Sequence, residues 1–248
     1  MDEARIIFDN VVLKNSFLWN SMIRGYAVVG SSEKSLLLYR EMSFYGRAAD
    51  NFTYPFVLMA CGDLGVENLG RCVHCKVLIM GFESDIYVGN SLLMMYLKFG
   101  DIGTARKLFD AMPERDLTSW NTMISGMSNN GDPLLSLVFL NQMVGFGVRS
   151  DRATILSVLP ACADMASLKH GKEIHGYVIR CGLEFDGFVR NSLIEMYSRC
   201  RFMTGARHLF EKMVVRDLVS WNSMISGYSW NEDSIRSISI FRRMISEE

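Results

Sequence analysis

The chain has 248 residues and a formal net charge of −1, and 49% of it is hydrophobic, which is enough for a continuous core. This charge excludes a basic nucleic-acid arm and counts against a ligand held mainly by phosphate contacts. With 4 prolines and no run of proline, serine or charge, nothing resembles a linker. No stretch reaches the roughly 18 apolar residues that a membrane span needs, so we expect no membrane association.

A five-residue block that opens with tryptophan and asparagine organises the chain. It begins at Trp19 and returns at Trp120 and Trp221, each time 101 residues later. A second block, with an Ala-Arg pair and a phenylalanine, keeps the same period, although its first copy lacks the helix that precedes the later copies. A long period without insertions is typical of repeat proteins. We therefore expect one repeat domain that begins inside a repeat.

The period divides further into repeats of 35, 35 and 31 residues, and the complete repeats close on an aspartate. The predicted repeats are 1–15 (partial), 16–50, 51–85, 86–116, 117–151, 152–186, 187–217 and 218–248 (truncated).

Each repeat has the apolar pattern of two helices. In 16–50, Trp19, Met22, Ile23 and Tyr26 lie on one helical face, and a second face follows. Glycines stand where helices should end, at Gly30, Gly65, Gly100 and Gly131 for first helices and at Gly46, Gly81, Gly147 and Gly182 for second helices. One helix pair cannot bury its apolar faces alone, whereas stacked pairs can. The predicted fold is all-α, a right-handed α-solenoid with a concave inner surface.

These blocks resemble a known family. Helical pairs of 35, 35 and 31 residues, with Trp-Asn-Ser-Met-Ile-Ser-Gly-Tyr from Trp221 and Asn-Ser-Leu-Ile-Glu-Met-Tyr from Asn191, are similar to the PLS subclass of plant pentatricopeptide repeat (PPR) proteins. In this interpretation 16–50, 117–151 and 218–248 are P repeats, 51–85 and 152–186 are L repeats, and 86–116 and 187–217 are S repeats, with 1–15 a partial S repeat.

The resemblance implies sequence-specific binding of single-stranded RNA in an organelle, with one base per repeat read by the fifth and last residues of P and S repeats. Carried over, the pairs are Asn20 with Asp50, Asn90 with Asp116, Asn121 with Asp151, and Asn191 with Asp217, while Asn222 lacks a closing partner. An asparagine amide can pair with the N3–H and a carbonyl of uracil. In the family this pair favours uracil over cytosine, so we expect a uridine-rich target.

Two further sets of residues follow from the same resemblance. The second residue of each repeat should flank a base, and the candidates are Phe17, Tyr87, Thr118, Phe188 and Val219. Lys98 and Arg199 share one place in the two S repeats and are candidate phosphate contacts. The L repeats carry Pro55 and Leu156 at the fifth place, which offer no side-chain hydrogen bond to a base.

Each feature also has a structural interpretation. The asparagines could cap helices, and the closing aspartates could cap the helix that follows. The three periodic tryptophans should be core residues, whereas Trp230, which lies outside their register, should be exposed.

The segment from Cys72 to Cys75 looks like a metal or redox motif, but it has no second cysteine pair at zinc spacing. We expect free, mostly buried thiols, no metal and no cofactor, and a packing role for His74 and for His175, which lies 101 residues later. No histidine has a glutamate two places on, as a zinc deaminase needs. Without a catalytic set the chain is predicted not to be an enzyme.

The sequence therefore predicts an RNA-binding solenoid, the targeting module of an organellar RNA editing or processing factor. It would act in a mitochondrion or chloroplast, with editing-complex proteins as further partners. The alternative is a protein-binding scaffold of the tetratricopeptide kind. That repeat keeps a constant period near 34 residues and a glycine four places after its tryptophan, where this chain has Ile23, Ile124 and Ile225.

Overall fold

The structure, a computed structural model, describes residues 1–247. Within this range there are fifteen helices and no strand. The helices are α1 (Asp2–Asn10), α2 (Ser16–Val28), α3 (Ser32–Phe44), α4 (Tyr54–Leu64), α5 (Glu67–Ile79), α6 (Ile86–Lys98), α7 (Ile102–Ala111), α8 (Leu117–Asn129), α9 (Pro133–Gly145), α10 (Arg152–Asp164), α11 (Leu168–Arg180), α12 (Gly187–Arg199), α13 (Met203–Glu211), α14 (Leu218–Trp230) and α15 (Ser234–Glu247).

The chain divides into two compact halves, Met1–Gly126 and Met127–Glu248, and each is described by itself. In the N-terminal half, α2, α4 and α6 pack side by side in one row, and α3, α5 and α7 pack against them. In the C-terminal half, α10, α12 and α14 form the row, and α11, α13 and α15 pack against it. Helix pairs stacked in this way bury the apolar faces that a single pair would leave exposed. The predicted all-α solenoid class is confirmed.

The periodic tryptophans are buried where consecutive repeats pack against each other. Trp19, Trp120 and Trp221 are 1%, 2% and 5% exposed. Each meets a phenylalanine of the preceding helix edge to face, with ring centroids 4.8 Å apart for Phe8–Trp19 and Phe109–Trp120 and 4.9 Å apart for Phe210–Trp221. Such pairs contribute about 0.5–1.5 kcal/mol beyond their buried area. The tryptophans are core residues, as predicted, and Trp230 is exposed, as predicted.

The glycines predicted to end helices all do so in the left-handed region, with φ between 64° and 80°. After α2, for example, the Gly30 N–H donates to the Ala27 carbonyl at 3.1 Å, which satisfies a free end of the helix. Three places one period later carry other residues with positive φ, namely Ala166 (47°), Arg201 (57°) and Glu232 (60°). A side chain there costs about 1–2 kcal/mol.

Two histidine–tyrosine contacts join neighbouring helix pairs. The Nδ1 of His74 on α5 lies 2.8 Å from the Tyr96 hydroxyl on α6, and His175 on α11 has the same distance to Tyr197 on α12. Burial lowers the pKa of both histidines, because a charged imidazole is poorly solvated there. The predicted packing role of both histidines is confirmed.

Candidate nucleic-acid interface

The candidate base-reading asparagines lie inside helices. Asn20, Asn90 and Asn191 are the fifth residues of α2, α6 and α12. The caps of these three helices are other residues, Asn15, Asp85 and Asp186, whose side chains accept backbone N–H bonds. Helix capping therefore does not account for asparagine at this place.

Each of these asparagines donates to the aspartate that closes its repeat. The Nδ2 of Asn20 lies 2.9 and 3.1 Å from the two carboxylate oxygens of Asp50. The corresponding distance to Oδ1 is 3.1 Å for Asn90–Asp116 and 3.3 Å for Asn191–Asp217. Because a carboxylate only accepts hydrogen bonds, it holds the amide nitrogen, not the amide oxygen, towards itself.

The closing aspartates also accept backbone N–H groups at or just before the start of the helices that follow, in line with the capping interpretation. The Oδ1 of Asp116 accepts the Ser119 N–H at 2.8 Å, and that of Asp217 accepts the Ser220 N–H at 2.7 Å. Asp50 accepts the N–H groups of Phe52 and Thr53 at 3.0 Å, in the turn before α4. One carboxylate thus starts a helix and orients an asparagine of the repeat before it.

These bonds affect the charge of the carboxylates. Burial alone would raise the pKa of Asp116, but the Ser119 N–H and the Asn90 amide outweigh it, so this pKa is lowered. The pKa of Asp217 is lowered by the Ser220 N–H first, with a further contribution from the Asn191 amide. Both groups therefore remain ionised well below neutral pH.

A hydroxyl from the next repeat completes two of the sites, and our sequence interpretation missed it. The Thr53 Oγ1 donates to the Asn20 Oδ1 at 2.6 Å, and the Ser119 Oγ donates to the Asn90 Oδ1 at 2.6 Å. In the third site the Ser220 Oγ donates instead to the Asp217 carbonyl at 2.7 Å. The buried Asn191 Oδ1 there has no hydrogen-bond partner among residues 1–247.

The remaining predicted readers are placed as follows. Asn121 is half-buried on α8 in the N-terminal half, and Asn222 is exposed on α14. Asp151 belongs to the C-terminal half, where its Oδ1 accepts the Thr154 N–H at 2.8 Å and caps α10. The pairing of Asn121 with Asp151 stays a prediction.

The five predicted base-flanking residues are all exposed, and they are Phe17, Tyr87, Thr118, Phe188 and Val219. Beside the Asn20–Asp50 pair, Phe17 and Phe52 line a cavity of about 420 Å³, with Arg24 and Phe56 at its wall. Phe52 is the second residue of the repeat 51–85, and it is 68% exposed. Our sequence interpretation did not name it, although the rule for second residues covers this repeat too.

The two predicted phosphate contacts are held in ion pairs. The Lys98 ammonium meets the Asp63 carboxylate, one repeat away. Arg199 lies 3.3 Å from Asp164 and 3.2 Å from Glu195, and its guanidinium also lies over the Trp230 ring at 5.1 Å. Both cations are partly exposed, so an RNA phosphate could replace the carboxylate as their partner.

The cysteine-rich segment on α5 contributes no ligand cluster. Cys72 and Cys75 are exposed free thiols, whereas Cys61 and Cys162 are buried. The prediction that most thiols are buried is wrong, because Cys72 and Cys75 lie on an exposed face of α5. Among residues 1–247, no three His, Cys, Asp or Glu side chains group as metal ligands would. In the same range no helix is both long enough and apolar enough to span a membrane.

Comparison with known proteins agrees with this geometry. A family model described as PPR repeat matches residues 17–46, 90–117, 118–148, 188–218 and 219–248. The pentatricopeptide repeat-containing protein At4g21065 of Arabidopsis thaliana is 41% identical over 94% of this chain and 40% of its own length. Another from that plant, At4g25270, chloroplastic, is 40% identical over 94% of this chain and 44% of its own length. The chain therefore spans less than half of these relatives.

A solved structure gives the same fold. The crystal structure of the pentatricopeptide repeat protein PPR10 in complex with an 18-nt psaJ RNA element superimposes with a TM-score of 0.83 at 19% identity. The match covers 99% of this chain and 38% of that one. Since the repeat model matches more than half of the residues and a relative is 41% identical along nearly the whole sequence, the chain belongs to the pentatricopeptide repeat family.

Proposed function

We propose that this chain binds single-stranded RNA by sequence, with one base for each repeat. The observation that carries the proposal is the asparagine–aspartate bond, which recurs with the same atoms at Asn20, Asn90 and Asn191. PPR10, with the same fold, was crystallised on RNA. An exposed residue at the second place of each repeat, aromatic at Phe17 and Tyr87, adds a surface on which a base can stack.

The chemistry of the pair favours uracil. With one N–H committed to the aspartate, the asparagine amide keeps a second N–H and a lone pair on Oδ1. A uracil edge presents an N3–H donor next to carbonyl acceptors, which complements that donor and acceptor. Base–aromatic stacking would contribute about 1–3 kcal/mol per base.

The order of the repeats then defines a target pattern. If P and S repeats read uridine and L repeats accept any base (N), repeats 16–50 to 187–217 specify the RNA sequence U-N-U-U-N-U. The N-terminus of the protein lies towards the 5′ end of the RNA. Because the formal net charge is −1, affinity rests on base contacts more than on phosphates. Lys98 and Arg199 would supply phosphate contacts by exchanging their carboxylate partners for the RNA backbone.

In the cell the chain would act as the targeting module of an RNA editing or processing factor of the PLS subclass, in a chloroplast or mitochondrion. One relative has the word chloroplastic in its name, which supports an organelle. The reaction itself would come from another part of the protein or from editing-complex partners.

Filter binding tests the proposal. We expect the chain to bind an RNA that contains U-N-U-U-N-U more tightly than one in which the four uridines are purines. Each of Asn20→Ala, Asn90→Ala and Asn191→Ala should weaken binding to the uridine RNA. Equal affinity for both RNAs would contradict base reading, and the absence of RNA binding would contradict the function as a whole.

A further inference from the structure

Two hydroxyl groups contact the oxygen ends of base-reading asparagines whose nitrogen ends contact the aspartate. Thr53 and Ser119 are fully buried, and each donates to the Oδ1 of an asparagine at 2.6 Å. The same hydroxyl oxygens also lie 2.9 Å from the Oδ1 of Asp50 and of Asp116. Neither the amide oxygen nor the carboxylate has a hydrogen to give, so the single hydroxyl hydrogen serves two acceptors, and the shorter distance places it towards the asparagine. Each amide is held at both ends, with Nδ2 on the aspartate and Oδ1 on the hydroxyl.

Along the chain, these hydroxyl residues occur only after repeats that have asparagine at the fifth place. The third residue after every closing aspartate whose repeat has asparagine at the fifth place carries a hydroxyl: Thr53, Ser119, Thr154 and Ser220. After the repeats with Pro55 or Leu156 at the fifth place, the third residue is Val88 or Val189. A hydroxyl thus stands where there is an asparagine to hold, and valine of the same shape as threonine stands where there is none.

Helix capping alone does not explain this distribution. The helices that begin near Val88 and Val189 are capped by Asp85 and Asp186, which accept the valine N–H groups at 3.1 Å. The hydroxyls do have a capping role as well, since Thr53 Oγ1 accepts the Asp50 N–H at 3.1 Å. Where valine replaces the hydroxyl residue, as at Val88, the N–H of the closing aspartate Asp85 donates to the Phe82 carbonyl at 3.1 Å instead. A test must therefore separate stability from base choice.

We propose that the hydroxyl at the third place of the following repeat is a positioning residue of the base-reading site. It occupies one lone pair of the asparagine oxygen and fixes the amide plane, so that the remaining lone pair and N–H point in set directions at the base. The reader of one base would then be three residues, an asparagine, an aspartate and a hydroxyl, drawn from two repeats. This inference rests on the proposed RNA function.

The test compares Thr53→Val with Thr53→Ser. Affinity is measured for the uridine RNA and for an RNA with cytidine opposite repeat 16–50 alone. We expect Thr53→Val to reduce the preference for uridine over cytidine at that base by about threefold to tenfold. Preferences at the other bases should remain, and Thr53→Ser should behave as the parent does. Unfolding curves, recorded in parallel, keep the comparison at temperatures where every variant is folded.

Val88→Thr is the matched control, because it adds a hydroxyl behind Pro55, which has no amide to hold. We expect no change in base preference from it. Retention of the parent's full uridine preference by Thr53→Val would overturn the inference while leaving the proposed function intact. A parent chain with no base preference would overturn both.

A second arm builds the site where it is missing. Leu156→Asn places an amide in repeat 152–186, whose closing Asp186 is already present. We expect Leu156→Asn with Val189→Thr to create a uridine preference opposite this repeat that exceeds the preference from Leu156→Asn alone by about threefold. Equal preferences in the single and double variants would count against the hydroxyl.

Discussion

The two 31-residue repeats, 86–116 and 187–217, share their core but differ where a base would be read. In both, a phenylalanine packs on a tryptophan of the following repeat with ring centroids 4.8 or 4.9 Å apart, and a tyrosine hydroxyl meets a histidine of the preceding repeat at 2.8 Å. After the first repeat, Ser119 holds the Asn90 oxygen, whereas after the second Ser220 donates to a backbone carbonyl and the Asn191 oxygen has no partner among residues 1–247.

The asparagine–aspartate bond therefore does not by itself satisfy every hydrogen-bonding group of the asparagine. The bond is present in both repeats, at 3.1 and 3.3 Å. The hydroxyl is an independent rotor, and a serine side chain can occupy more than one staggered position. An unsatisfied buried acceptor such as the Asn191 Oδ1 costs about 1–3 kcal/mol, so a turn of Ser220 towards it would be favourable.

The largest expected effect is on the free energy of unfolding, and it should be the same at the two repeats. Trp120→Ala and Trp221→Ala each remove a buried indole and its phenylalanine contact, so we expect each to lower the free energy of unfolding by about 3–5 kcal/mol. Urea unfolding followed by circular dichroism measures this. A loss below about 1 kcal/mol for either variant would show that the core is not shared in this way.

A smaller effect on stability should differ in sign between the two repeats. Gly100 has φ 77°, and the corresponding residue one period later is Arg201 with φ 57°. We expect Arg201→Gly to stabilise the protein by about 0.5–1 kcal/mol and Gly100→Ala to destabilise it by about 1 kcal/mol. Thermal unfolding of both variants checks the signs. Destabilisation by Arg201→Gly would mean that the arginine side chain makes a contact worth more than the strain.

The histidine contacts predict a pH dependence common to both repeats. Because burial lowers the pKa of His74 and His175 in the folded state, the unfolded state binds more protons below its ordinary pKa of about 6.5. The stability that depends on neutral histidine is present above that pH and is lost as pH falls below it. We expect His74→Gln with His175→Gln to flatten the decline between about pH 6.5 and 5, as measured by urea unfolding. An unchanged slope would contradict this assignment.

The smallest effect concerns the ion pairs. Asp63→Asn should cost less than about 1 kcal/mol of stability, because the Lys98–Asp63 pair is partly exposed. If Lys98 contacts phosphate, the freed ammonium should raise RNA affinity about twofold and steepen its salt dependence. Asp164→Asn is the matched change, and Glu195 still holds Arg199 there, so its gain should be smaller. Unchanged affinity and salt dependence in Asp63→Asn would remove Lys98 from the interface.

Much of the fold could be predicted because its signals are local or strictly periodic. The helical faces, the buried tryptophans and the glycine-terminated helices follow from spacing within about twenty residues. The contact of Thr53 with Asn20 was missed because it joins residues 33 apart, across a repeat boundary, and no local pattern reports it. The pairs of Lys98 with Asp63 and of Arg199 with Asp164, each 35 residues apart, were missed for the same reason. Arg201, by contrast, could have been predicted to be left-handed from the period of 101 that relates it to Gly100.

We propose above all that Asn90, held by Asp116, reads one base. The most direct test measures four affinities, those of the parent and of Asn90→Ala for RNA with uridine or adenosine opposite repeat 86–116. We expect the parent to lose about tenfold on the uridine-to-adenosine change and Asn90→Ala to lose little, because the variant has no amide with which to discriminate. The same loss in both proteins would show that Asn90 does not read the base.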